Sequence, residues 1–213
     1  PERRTRVISQ HEKEIVAYHE GGHALVGHLL EHADPVQKIS VISRGMAAGY
    51  RKSLPEEDRM FLSRPQLIDR ITMALGGRVA EEVTFGEVTT GASNDLEQVT
   101  AMARAMVTRY GMSERLGPRT FGKKEELVFL GREISEQRDY SDKVAEEIDS
   151  EVHDLIQDAY TTATELLTTH RSKLIQIASY LKANETVEGK ELAELFNSSA
   201  PEPEEVPEPT PTS

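Results

Sequence analysis

Within the run from Ile15 to Leu30, the residues His19, Glu20, Gly21, Gly22 and His23 have the pattern H-E-x-x-H. Residues four apart lie one above the other on a helix, so the two imidazoles are able to hold one tetrahedral metal ion from a single face. Glu20 stands about 100° round from His19, beside that face. There its carboxylate is suited to take a proton from a water on the metal rather than to fill a coordination position. The chemistry such a set supports is metal-assisted hydrolysis, and the pattern is that of a zinc metallopeptidase helix. The competing reading is a chance match in an ordinary structural helix.

A second pattern tests the first. His28, Leu29, Leu30, Glu31 and His32 read H-x-x-E-H, the inverted order at the same spacing. Helical phase puts His28 and His32 about 180° away from the first pair. Ile15, Val16, Val26 and Leu30 flank His19 and His23, whereas Ala17, Gly21 and Ala24 lie nearer the second pair. The first pair therefore sits on the apolar stripe, and the second reads as a partly solvated helix end. Gly21 and Gly22 each cost about 1 kcal/mol against Ala inside a helix, which points to another backbone passing close to that turn.

The chain has 213 residues, enough to bury a sizeable core as one domain or two small ones. Its 25 basic and 37 acidic residues give a net charge of −12, which argues against nucleic acid or an anionic lipid surface as the main partner. There is no cysteine, so no disulfide framework exists, and any metal must be held by His and carboxylate. No apolar run approaches the roughly 18 residues that span a bilayer and no signal peptide is present, so the chain as given is expected to be soluble.

The elements that must position the motif follow from pattern. Residues 1–10 read as a charged linker that begins without a methionine, as a fragment of a longer protein would. A first helix is expected over about 11–32, stopped before Asp34-Pro35. Val36 to Ile42 is rich in β-branched residues and reads as a strand, with Ala47 to Lys52 as its hairpin partner. That edge is either a structural hairpin or a place for an extended peptide to add as a strand. Pro65 opens a second helix with Ile68, Ile71, Leu75, Val79 and Val83 as its stripe. Glu81 and Glu82 near its end read as a charged terminus, or as partners that orient a histidine ligand.

Asn94 with Glu97 forms a capping-box-like start to a third helix ending at Gly111, and Asp95 by itself is a helix-dipole acid. Leu127 to Leu130 is a short strand candidate. From Ser141 a long amphipathic helix carries Val144, Ile148, Val152, Leu155, Ala159, Ala163 and Leu166. His153 within it has no partner motif and is given no role. A shorter helix with Leu174, Ile177, Ala178 and Leu181 follows, then a last one over about 188–196. The Pro/Glu-rich stretch 198–213 is expected to be disordered.

The fold class is thus mainly α: a helical zinc-peptidase core over 11–138 with a small β-sheet or hairpin beside the H-E-x-x-H helix, then a C-terminal helical part over 139–197. A catalytic zinc uses three protein ligands and one open position. The extension H-x-x-G-x-x-H would need Gly at 26 and His at 29, where the chain has Val26 and Leu29. Some later His, Asp or Glu must supply the third ligand, and spacing alone leaves it open.

Four segments in order carry a resemblance. They are Val16 to Leu25 (VAYHEGGHAL), Gly76 to Glu82 (GGRVAEE), Thr90 to Leu96 (TGASNDL) and Gly111 to Pro118 (GMSERLGP). Together they resemble the peptidase domain of the FtsH family, membrane-anchored ATP-dependent zinc proteases, over residues 1 to about 197. The resemblance implies Zn²⁺ held by His19, His23 and Asp95, with Glu20 as the catalytic residue, and so replaces the dipole reading of Asp95. It further implies a homo-hexameric ring that takes unfolded proteins from an AAA ATPase domain of the same full-length chain, ATP being bound only there. Upstream segments, absent here, would anchor that protein in the cell membrane with this domain on the cytoplasmic side. Gly21 stands where the family more often has Ala, and Ala48 where a larger residue is common. Neither removes a ligand, but Ala48 bears on substrate preference.

Two other classes are weighed against this reading. A stand-alone zinc peptidase would need no ATPase partner, and a non-catalytic helical assembly module would be free to lose the base or a ligand. For the third ligand, Asp95 lies 72 residues beyond His23 (95 − 23), and Glu81 and Glu82 are its rivals. A short carboxylate in the first turn of a helix is held rigidly, whereas the longer glutamates suit the task of orienting a ligand.

Overall fold

A computed structural model of the chain describes residues 9–42, 61–122 and 139–199. Among these residues six helices dominate: α1 (Gln10–Leu29), α2 (Arg64–Phe85), α3 (Ser93–Thr108), α4 (Asp142–Thr169), α5 (Arg171–Asn184) and α6 (Gly189–Asn197). A two-stranded sheet of β1 (Lys38–Ser40) and β2 (Thr186–Glu188) and a 3-10 turn, Thr90–Ala92, complete them. The chain is mainly α with a small sheet, as the periodicity predicts. No helix among the described residues is long and apolar enough to cross a membrane.

Local chemistry sets the helix starts. Ser9 caps α1 through a reciprocal box with Glu12, and Ser63 caps α2 through the same arrangement with Gln66, with Pro65 in the first turn. Ser141 accepts a bond from the Val144 N–H to open α4. α2 ends on Gly86, whose φ of 72° is the left-handed conformation that glycine adopts without strain.

Several boundaries differ from the sequence expectation. α1 stops at Leu29 rather than at 32, because the chain is turned off onto the start of α2: the His32 N–H donates to Asp69 at 2.8 Å and Arg70 pairs with Asp34 at 2.7 Å. α3 starts at Ser93 without a side-chain cap, so Asn94 is an interior residue and no capping box forms with Glu97. The preceding 3-10 turn takes over that task, the Thr89 hydroxyl accepting from the Gly91 N–H at 3.1 Å. α3 ends at Thr108, and Gly111 follows in a turn at φ 61°. The partner of β1 is β2, antiparallel with Ile39 opposite Val187. The proposed hairpin strand Ala47 to Lys52, the strand candidate Leu127 to Leu130, and Ala48 lie outside the described residues, as do 1–8 and 200–213.

α1 is the centre of the molecule and packs chiefly on α2 and α5. From Ala17 to Gly27 every residue of α1 is buried, all the way round the helix. α2 in turn carries α3 and α4. The core joins Ala17, Leu25 and Val26 of α1 to Ile71, Leu75 and Val79 of α2 and to Leu174, Ile177 and Leu181 of α5. Glu14–Lys182 (2.7 Å) and Lys13–Glu185 (2.9 Å) tie the start of α1 to the end of α5.

The glycines explain how close the packing is. A Cβ added at Gly22 would lie 2.3 Å from the Gly76 carbonyl oxygen and 2.5 Å from Ala80 Cβ, and one at Gly76 would lie 2.8 Å from the Gly22 carbonyl oxygen. Backbone meets backbone at this crossing, as the paired glycines of α1 predict. Gly21 faces the other way, onto Ile177 and Leu174 of α5. Gly22→Ala must push two helices apart, so it is expected to destabilise the fold by about 2 kcal/mol or more, outweighing the gain in helix propensity. Chemical denaturation followed by circular dichroism measures this, and a stability equal to the wild type would refute it.

Candidate metal centre

The antiparallel crossing aligns α2 with the H-E-x-x-H face of α1. His19 Nδ1 bonds Glu81 Oε1 at 2.7 Å, and His23 Nδ1 bonds the Met73 carbonyl at 2.9 Å. Both partners are acceptors, and the Met73 carbonyl is nearer to His23 Nδ1 than the Gly77 N–H, which lies at 3.3 Å. In the neutral form each ring therefore carries its proton on Nδ1 and turns an Nε2 lone pair to the other side. The two Nε2 atoms are 3.0 Å apart, and Asp95 Oδ2 lies 3.3 Å from one and 3.4 Å from the other. Asp95 arrives from the first turn of α3, held there by the 3-10 turn before it.

Two lone pairs and a carboxylate oxygen thus converge in a largely buried place, His19 being 7% and His23 5% exposed. With both rings neutral and neither a proton nor a cation between them, these three atoms would repel. Tetrahedral zinc with bonds of about 2.0–2.1 Å separates its ligand atoms by roughly 3.3–3.4 Å, so the triangle has the size and the N, N, O chemistry of a three-ligand zinc site. Among the described residues His19, His23 and Asp95 form the one cluster of His, Asp or Glu side chains able to converge on an ion.

Electrostatics express the same demand for positive charge. Burial opposes a charged His19, yet bonds with Asp95 and Glu81 outweigh it and push the ring up to about 9. Asp95 loses solvation by burial, but the two imidazoles hold it well below the usual aspartate range. Glu81 is also buried and still lowered, because His19 and the Thr89 N–H both donate to it; the Thr89 bond is 2.7 Å. Glu20 goes the other way: burial raises it, only partly offset by His23 and His19, and Asp95 raises it further. A carboxylate raised in this way is closer to the proton affinity that a general base needs near neutral pH.

The remaining candidates are placed apart from the cluster. Glu82 accepts a hydrogen bond from the Tyr160 hydroxyl of α4. His28 stacks on Phe196 with ring centroids 4.1 Å apart, and His32 is exposed beyond the end of α1, so the inverted motif is not a helical pair. His153 is exposed on α4. Sequence reasoning missed the Met73 carbonyl, which has no side-chain signature. It also left Glu81 and Glu82 undivided, and only Glu81 reaches His19.

This geometry suits a metal ion held by three protein ligands, and the comparison with known families points the same way: the model of peptidase family M41 matches residues 6–195, and the chain belongs to that family. Among individual relatives, ATP-dependent zinc metalloprotease FtsH 1 of Thermomicrobium roseum is 56% identical over 204 residues, covering 96% of this chain and 31% of the relative. FtsH 1 of Conexibacter woesei is 52% identical over 221 residues, covering 100% and 34%. FtsH of Chloroflexus aggregans is 56% identical over 204 residues, covering 94% and 31%. The chain therefore spans about a third of the length of the curated relatives it matches.

The Glu81 carboxylate satisfies two buried donors at once. In Glu81→Gln one of its two ends becomes a donor and faces either His19 or Thr89 with no acceptor. The expected loss is about 1–3 kcal/mol of stability in the metal-free protein, larger than for Glu82→Gln, whose partner Tyr160 is half-buried. Parallel urea titrations decide it, and equal midpoints for the two variants would refute the assignment.

Proposed function

We propose that this chain is the proteolytic part of an ATP-dependent zinc metalloprotease, hydrolysing peptide bonds at a zinc ion held by His19, His23 and Asp95. The observation that carries the reading is the 3.0, 3.3 and 3.4 Å triangle of two Nε2 atoms and Oδ2. When bound, zinc supplies a Lewis acid and lowers the pKa of water.

The protein residues do the rest. Glu81 and the Met73 carbonyl keep the Nδ1 protons in place, so both rings present Nε2. Glu20 adjoins the pair in sequence and does not share their hydrogen bonds, which leaves its carboxylate available to take the proton from the attacking water. Its burial raises its affinity for that proton and suits it to pass the proton on to the leaving amine. Asp95 adds the negative charge that two neutral imidazoles lack.

The proposal extends to the surroundings of the domain. The relatives named above are ATP-dependent, and the sequence described here has no G-x-x-x-x-G-K-[ST] loop, so ATP would be bound by an AAA ATPase domain elsewhere in the full-length chain. The domain reading keeps 1–10 as the connection to it, 11–138 as the peptidase core, 139–197 as the C-terminal helical part and 198–213 as a tail. α4 and α5 pack directly on α2 and α1, which supports reading the core and the C-terminal helices as one unit. A homo-hexameric ring, unfolded or membrane-extracted proteins as substrates, and a membrane anchor in upstream segments complete the proposal.

Three variants test it. Glu20→Gln is expected to keep stoichiometric zinc and lose hydrolysis of an unfolded protein such as casein by about 100-fold or more. Asp95→Asn is expected to weaken zinc binding and activity far more than Glu82→Gln. Metal analysis of each purified variant beside a casein assay gives both readouts. Zinc lost from Glu20→Gln, or normal turnover by it, would overturn its role, and full zinc in Asp95→Asn would overturn the ligand set. The wild-type chain alone is expected to digest casein and to leave a stably folded protein intact with or without ATP; ATP-stimulated digestion of the folded protein would contradict that.

A further inference from the structure

α2 meets the two imidazoles at three positions spaced four residues apart. Met73 offers its carbonyl to His23, Glu81 offers its carboxylate to His19, and between them stands Gly77. A Cβ built on Gly77 would lie 2.5 Å from His23 Nε2, 2.6 Å from His19 Nε2 and 2.7 Å from His19 Cε1. The two Nε2 atoms among them are the ones that face Asp95. All three nearest neighbours belong to the ligand rings and none to backbone.

The other glycines of the crossing behave differently. Gly22 and Gly76 are blocked first by each other's backbone. Gly27 meets only the flexible thioether of Met73. Side chains at 22 or 76 would separate the helices, whereas one at 77 would leave the helices where they are and displace the rings.

We infer that Gly77 is a positioning residue of the metal centre: its missing side chain is the space that lets both Nε2 atoms converge on one ion. The inference rests on the zinc reading above and adds to it a residue that is not a ligand and whose bond to the rings is a long one, from its N–H to His23 Nδ1 at 3.3 Å. Imidazoles are the free ends of side chains and give way more easily than backbone does, so filling this space harms the site and spares the fold. The preference for glycine at 77 is therefore chemical, although the pair Gly76-Gly77 looks in sequence like a single helix-packing device.

The test compares wild type, Gly77→Ala and Gly27→Ala, each stripped of metal and titrated with zinc against a chromophoric chelator. Thermal midpoints are recorded with and without zinc, and cobalt replaces zinc for visible absorption. Gly77→Ala is expected to keep its helical circular dichroism and its metal-free midpoint. It is also expected to bind zinc about 100-fold more weakly or worse, to gain no thermal shift from zinc, and to lose the tetrahedral cobalt bands. Gly27→Ala, substituted at the same helix interface away from the rings, is expected to bind zinc like the wild type. Wild-type zinc affinity in Gly77→Ala overturns the inference, and so does a metal-free Gly77→Ala that is unfolded, since the rings would then not be what yields. Equal weakening in Gly27→Ala also overturns it, because any glycine of the interface would then have the same effect. Failure of the wild type itself to bind zinc overturns the metal assignment, and this inference with it.

Discussion

The approach of α1 to α2 at Gly22 and Gly76 is the constraint from which the rest of the structure follows. With no side chain on either helix at the crossing, the backbones come within reach of each other. Only at that distance do the Met73 carbonyl and the Glu81 carboxylate reach the imidazoles on the neighbouring helix. Larger residues at the crossing would set the helices at an ordinary separation and leave both Nδ1 atoms short of an acceptor. The proposed metal centre is therefore a property of the helix pair, in which α1 would supply two ligands and α2 their orientation.

The same packing divides the carboxylates by task. Glu20 and Glu81 are both buried, at 5% and 1% exposure, yet they are driven in opposite directions. Glu81 has two donors aimed at it and stays ionised. Burial raises Glu20, which makes it the carboxylate suited to carry a proton. Environments that separate two like groups in this way are what the proposed roles need, one carboxylate to hold a ring in place and one to carry a proton. Asp95 completes the set because α3 begins with a 3-10 turn, whose Thr89 is bonded through its N–H to Glu81. The third donor is thus tied to the same carboxylate that orients the first.

The C-terminal helices supply the support. α5 lies along the face of α1 opposite α2 and fills the space beside Gly21 with Ile177 and Leu174. β2 follows α5 directly and pairs with β1, so the short sheet closes the ends of both segments. α4 covers α2 and α3, with Tyr160 bonded to Glu82. A mostly helical unit with so little sheet needs this second layer, since a helix buried all the way round must be covered on every side.

Much of this was determined by sequence alone. The apolar periodicity of α2 and α4, the Ser caps, and the H-E-x-x-H spacing are set by residues within a turn or two of each other, where the 3.6-residue repeat fixes who is neighbour to whom. The paired glycines of α1 even announced a close helix, though not which one. Tertiary structure decided the rest. That Glu81 and not Glu82 meets His19, that a backbone carbonyl holds His23, that β1 pairs with a strand near residue 187, and that Gly77 sits between two rings all depend on the register of one helix against another. That register is chosen by the whole packed core. Nothing in the local sequence encodes it, because the contacting residues are separated by 50 or more positions and are brought together only by burial.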